Sequence, residues 1–118
     1  MREKAFENRL KRYLAEHQHY YVKFFANRMT RIGVPDILAC VGGTFVGIEV
    51  KAENGVLSDI QAYNRREIFR SGGFSVVVYP KHYALFCRMI DALGSGNLDE
   101  ARKVEFEINT TGRSHDFA

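Results

Sequence analysis

Two glycines at positions 42 and 43 break an otherwise apolar run, "ILACVGGTFVGIEVK". A two-residue glycine turn between β-prone segments predicts an antiparallel hairpin, because its central residues need positive φ. The turn also predicts a register. With Val41 opposite Thr44, residue numbers in opposed pairs keep a constant sum, and Asp36 falls opposite Glu49. Opposed residues share a face, with Cβ atoms about 4.5–5.5 Å apart. Lys51, two positions beyond Glu49, shares that face by alternation. The other face carries Ile37, Ala39, Val41, Val46, Ile48 and Val50, which reads as core. Three ionisable groups are thus committed to one spot on a largely buried sheet.

The rest of the chain supplies the partners this sheet needs. Phe6, Leu10, Tyr13, Leu14 and His17 recur at three- and four-residue steps, predicting a helix over 3–17 with Glu7 at the border of its apolar stripe. "YYVKFFAN", 20–27, is aromatic and β-branched and predicts the first strand. Ser58-Asp59-Ile60-Gln61 has the form of a capping box, opening a helix that runs to about Ser71 and stops at Gly72-Gly73. "FSVVVY", 74–79, is apolar throughout and reads as a central strand buried on both faces. A second amphipathic helix covers 82–93, and "GSGN" follows as a loop. In the tail, "KVEFEI" alternates and reads as an edge strand or an oligomer contact. The expected fold class is α/β, with an αβββαβ core, a mixed central sheet and flanking helices. The expected organisation is a single domain with its core over about 5–90 and a stretch at 94–118 that is accessory or a dimer contact.

Composition narrows the function classes. No apolar run reaches the roughly 20 residues of a membrane span. The N-terminal "MREKAFENRLKRYL" has no apolar core of a secretory signal, so a cytoplasmic protein is expected. Cys40 and Cys87 lie in apolar surroundings without metal-ligand spacing, and read as reduced core residues. His17 and His19 read as surface polarity and not as a zinc site. The net charge is +3 among 118 residues. Arg2, Lys4, Arg9, Lys11, Arg12, Lys23, Arg28 and Arg31 crowd the first third, which fits either a phosphate-facing surface or a solvated helix with a basic loop.

Two carboxylates opposed on a sheet repel each other. Mg²⁺ would relieve that repulsion, since it takes oxygen ligands and keeps waters for substrate phosphates. Lys51 beside it can hold a water and neutralise charge developing on phosphorus. The plain alternative is a structural salt-bridge cluster of Asp36, Glu49 and Lys51. Gln61 is open to two roles as well, as capping residue or as support for the site. Arg28 and Arg31 either grip phosphates on both sides of a cut or serve as loop charges.

Taken together, "GVPD" at 33–36, "IEVK" at 48–51, "GVLSDIQ" at 55–61 and "GFSVVVY" at 73–79 resemble the PD-(D/E)XK nuclease superfamily, and within it the virus-type replication-repair nuclease (VRR-NUC) family. The resemblance covers roughly residues 5–90. It implies metal-dependent hydrolysis of DNA phosphodiesters with Mg²⁺ or Mn²⁺ as cofactor. By position it makes Asp36 and Glu49 metal ligands, assisted by the backbone carbonyl of Val50, and Lys51 the catalytic lysine. Gln61 becomes the supporting polar residue. The family's first helix supplies a further Glu, which Glu7 fits best, with Glu3 as the fallback.

Small stand-alone members of the family resemble Holliday-junction resolvases, which act as two-fold dimers. A homodimer acting on branched DNA is therefore expected. The chain has no P-loop and no evident second domain, which favours recognition of DNA shape. Two further readings are a non-catalytic DNA-binding or assembly module, and a nuclease subunit of a larger replication or repair complex.

Overall fold

The hairpin forms in the expected register. A computed structural model describes residues 2–25 and 31–111. In it β2 (Ile37–Val41) and β3 (Thr44–Val50) pair antiparallel, Val41 with Thr44 and Ile37 with Ile48. Gly42 and Gly43 take φ of 58° and 81°. At Gly42 a Cβ would meet the carbonyl oxygen of Leu93 at 2.1 Å, so both conformation and space exclude a side chain.

β1 (Tyr20–Lys23) pairs antiparallel with β2, Val22 opposite Leu38 and Lys23 opposite Ile37. It is shorter than the expected 20–27. Beyond Lys23 the ladder continues only as Phe24 N–H donating to the Asp36 carbonyl at 2.8 Å, and residues 26 and 27 lie outside the described residues. β4 (Phe74–Val78) joins β3 in parallel, giving the order β1-β2-β3-β4. β4 is buried along its whole length, as expected, yet it ends the sheet and is not central. A parallel neighbour needs a crossover, and α2 (Asp59–Arg70) provides it. The sequence order α1, β1–β3, α2, β4 is the expected αβββαβ arrangement, a mixed sheet with helices around it.

One face of the sheet holds the main core. Ile37, Ala39, Val41, Val46, Ile48 and Val50 are all buried there, together with Phe6, Leu10 and Leu14 of α1 (Glu3–Glu16) and Phe86, Met89, Ile90 and Leu93 of α3 (Tyr83–Gly94). Each of these side chains larger than alanine contributes about 1.5–3 kcal/mol by leaving water. A smaller cluster of Leu57, Ala62, Val77 and Tyr79 seats α2 on the opposite face. α2 starts at the expected box: Ser58 Oγ accepts Gln61 N–H at 3.2 Å, and Gln61 Oε1 accepts Ser58 N–H at 3.0 Å. Among the described residues no helix is long and apolar enough to cross a membrane.

The tail departs from expectation. "KVEFEI" is not a strand but lies within α4 (Leu98–Thr111), whose Ala101, Val104 and Ile108 enter the main core at helical spacing. Residues 98–111 are therefore part of the core and not an accessory stretch. The polar residues between them do what a neighbouring strand would do. Glu105 Oε2 accepts Ser75 N–H at 2.9 Å, Asn109 Oδ1 accepts Val77 N–H at 3.1 Å, and Asn109 Nδ2 donates to the Ser75 carbonyl at 2.9 Å. Arg102 donates to the Gly72 and Gly73 carbonyls and to Glu105. The outer rim of β4 is thereby sealed, a recognised defence of exposed sheet edges.

The cysteines are both free, as expected for reduced thiols. Cys40 is a correction. It is exposed, because its position in β2 puts it on the face opposite the main core. Cys87 is half-buried against that core.

Candidate active site

The ends of β2 and β3 bring the predicted carboxylates together. Asp36 stands just before β2, and Glu49 is the next-to-last residue of β3. The register that pairs Ile37 with Ile48 sets Asp36 alongside Glu49. Asp36 Oδ2 accepts Val50 N–H at 2.8 Å, which fastens the loop carboxylate to the strand carrying its partner. Glu49 is 4% exposed, and its Oε1 is buried with no hydrogen-bond partner. Burial, with the adjacent Asp36 adding to it, pushes the Glu49 carboxyl up to about 8, against a smaller opposing pull from Lys51.

Lys51 and Gln61 complete one side of the site. Lys51 Nζ donates to Gln61 Oε1 at 3.0 Å and lies 3.6 Å from Glu49 Oε2. Gln61 Nε2 donates to the same Glu49 oxygen at 2.8 Å. This orientation of the amide turns its donor to the carboxylate and its acceptor to the ammonium. Gln61 is thus the capping residue of α2 and at the same time contacts both Glu49 and Lys51. Helix start and site share one side chain, so α2 cannot shift without moving Lys51.

Glu7 reaches the site through a residue that sequence reasoning passed over. It is 4% exposed on α1 and pairs with Lys23 Nζ at 3.0 Å and with Lys11 Nζ at 3.3 Å. Lys23 Nζ also lies 3.6 Å from Asp36 Oδ1 and so bridges the two acids. Burial alone would raise the Glu7 carboxyl, but the two ammonium groups hold it below the usual carboxylate range. Lys23 is itself held above its ordinary value: burial disfavours its charge, and Glu7 and Asp36 more than restore it. The available signal was parity. Lys23 alternates with the half-buried Tyr21 and so points to the α1 side of its strand. Glu3 is exposed, and its charge reaches Glu49 only as a minor contribution.

The basic loop contributes less. Arg28 lies outside the described residues. Arg31 is exposed and lines a shallow depression with Phe45, Asn64, Glu67, Ile68, Ser71 and Gly73, a group that includes none of the candidate site acids.

Among the described residues, no group of three or more His, Cys, Asp and Glu side chains comes together as a metal site. The donor set of Asp36 and Glu49 still suits a hard divalent ion. It offers carboxylate oxygens, one of them buried and unsatisfied, in a place where two negative charges repel. No protein-family model matches the chain, and no curated protein matches it. What the site can do follows from its own geometry.

Proposed function

We propose that this chain is a Mg²⁺- or Mn²⁺-dependent DNA endonuclease of the PD-(D/E)XK type, akin to the VRR-NUC family. The observation that carries the reading is the buried, unsatisfied Glu49 Oε1 beside Asp36, with the Lys51 ammonium 3.6 Å from the other Glu49 oxygen. Asp36, Glu49 and the Val50 carbonyl would hold the ion. Once bound, it would acidify water and stabilise charge on the scissile phosphate.

The chain's own groups have separable tasks. Lys51, fixed by Gln61, places its ammonium where a water and a phosphate oxygen would meet. Gln61 keeps Glu49 and Lys51 in register without adding charge. The bond that forms joins a water oxygen to phosphorus, and the bond that breaks releases the 3′-oxygen, which takes up a proton and leaves a 5′-phosphate. The basic side chains of α1 and Arg31 supply sequence-independent attraction to the DNA backbone. Branched DNA as substrate, a homodimer as the working form and a cytoplasmic setting belong to the same proposal.

One observation favours a different class. Glu7, Asp36 and Glu49 each lie within ion-pair distance of an ammonium group, from Lys11, Lys23 or Lys51. A non-catalytic module whose cluster serves only the fold would look like this. The deciding experiment incubates the protein with linear, flap, splayed and four-way DNA, with and without Mg²⁺, using Lys51→Ala as control. Metal-dependent cutting that the variant lacks supports the nuclease. Absence of cutting on every substrate, together with no Mn²⁺ binding, supports the module.

A further inference from the structure

We infer that the Lys23 ammonium stands where a second divalent ion would otherwise sit, so that each chain holds one metal and not two. The inference rests on the metal-dependent reading above and adds to it a stoichiometry and the residue that sets it.

Lys23 Nζ lies 3.0 Å from Glu7 Oε1 and 3.6 Å from Asp36 Oδ1. One cation thus already spans the two carboxylates that a second ion would have to bridge. Glu7 is 4% exposed and meets Lys11 at 3.3 Å through its other oxygen, so ammonium groups enclose its carboxylate. Lys23 also accounts for the division of the acids: Asp36 meets Glu49 on one side, while Glu7 reaches Asp36 only through the lysine. A dication entering beside a fixed ammonium would meet like charge at a few ångströms, in a half-buried setting where screening is weaker than in water. The lysine carries its charge on a tether, so it holds Glu7 and Asp36 in place whether or not any ion is present. Asp36 keeps acceptor capacity for an ion shared with Glu49, because each carboxylate oxygen has more than one lone pair.

The test counts Mn²⁺ per full-length chain by calorimetric titration and electron paramagnetic resonance. Wild-type protein is expected to saturate at one ion with an uncoupled spectrum. Lys23→Met is expected to saturate at two, with spin coupling between them. Adding Glu7→Gln to that variant returns the count to one. Two ions in the wild type, or one in a folded Lys23→Met chain, overturns this inference and leaves the metal-dependent reading intact. No bound ion in the wild type removes both. Should Lys23→Met fail to fold, Lys23→Gln takes its place, and one ion in that folded variant overturns the inference equally.

Discussion

Asp36 accepts the Val50 N–H at 2.8 Å, and this bond separates what the residue does for the fold from what its charge does for chemistry. Asp36→Asn retains an oxygen for that N–H and exchanges the negative charge and the oxygen facing Lys23 Nζ for a neutral NH2. Under the nuclease proposal, Asp36→Asn lowers Mg²⁺-dependent cleavage by about a hundredfold or more, the scale of losing metal-assisted charge stabilisation. The thermal midpoint stays within a few degrees of wild type, read by circular dichroism. Unchanged cleavage in the variant would remove Asp36 from the site.

Gln61 links the cap of α2 to the ammonium of Lys51, so its loss is expected to show in two measurements. Gln61→Ala lowers kcat by about 10–100-fold, as for other outer-shell partners that orient a site. It also lowers stability by about 1 kcal/mol through the lost capping interaction. A variant that loses stability alone would confine Gln61 to the cap.

Asn109 makes two hydrogen bonds with the buried backbone of β4, and both groups lose their partner in Asn109→Ala. A buried backbone group left unsatisfied costs about 1–3 kcal/mol, so the variant is expected to unfold roughly 3 kcal/mol more easily. Urea unfolding measures this directly. Asn109→Asp keeps the acceptor for Val77 N–H but sets a buried carboxylate oxygen against the Ser75 carbonyl, one turn from Glu105, and should be at least as destabilised as alanine.

His82 is buried just before α3, where Nδ1 accepts Tyr79 N–H at 3.2 Å and Nε2 faces Thr111 Oγ1 at 3.2 Å. Burial, then the charge of Lys81, holds its ring below the ordinary imidazole value of 6.5. Below pH 6.5 the unfolded chain therefore takes a proton that the folded chain refuses. His82 thus supports the fold above that pH, and the support fades as pH falls toward its folded-state value. One proton gives a slope of at most about 1.4 kcal/mol per pH unit. Glu49, raised in the metal-free protein, acts with the opposite sign over part of this range. The stability difference between wild type and His82→Gln isolates the imidazole and should narrow from pH 7 to pH 5. A constant difference would contradict it.

Much of the carboxylate pair was legible because local rules fixed it. Gly42-Gly43 set the hairpin turn, the turn set the register, and the register carried Asp36 to Glu49. Ser58 and Gln61 likewise announced α2 through a pattern confined to four residues. Lys23 and α4 were not legible for a shared reason: their roles are met across long sequence separations. Nothing in "YYVK" says that Glu7 lies over it, because that depends on how α1 crosses the sheet. "KVEFEI" alternates like a strand, yet Glu105 and Asn109 sit one helical turn apart to match the rim of β4. The same long-range packing left Cys40 exposed, since α2 seats itself on Val77 of β4 and on Tyr79 just beyond it.

The two rims of the sheet are unlike. α4 side chains occupy the outer backbone groups of β4, whereas β1 pairs with β2 alone among the described residues. A fibre built strand upon strand needs an adhesive rim at both ends of every unit. The described residues offer one, so copies joined through their sheets would stop at a closed couple instead of polymerising.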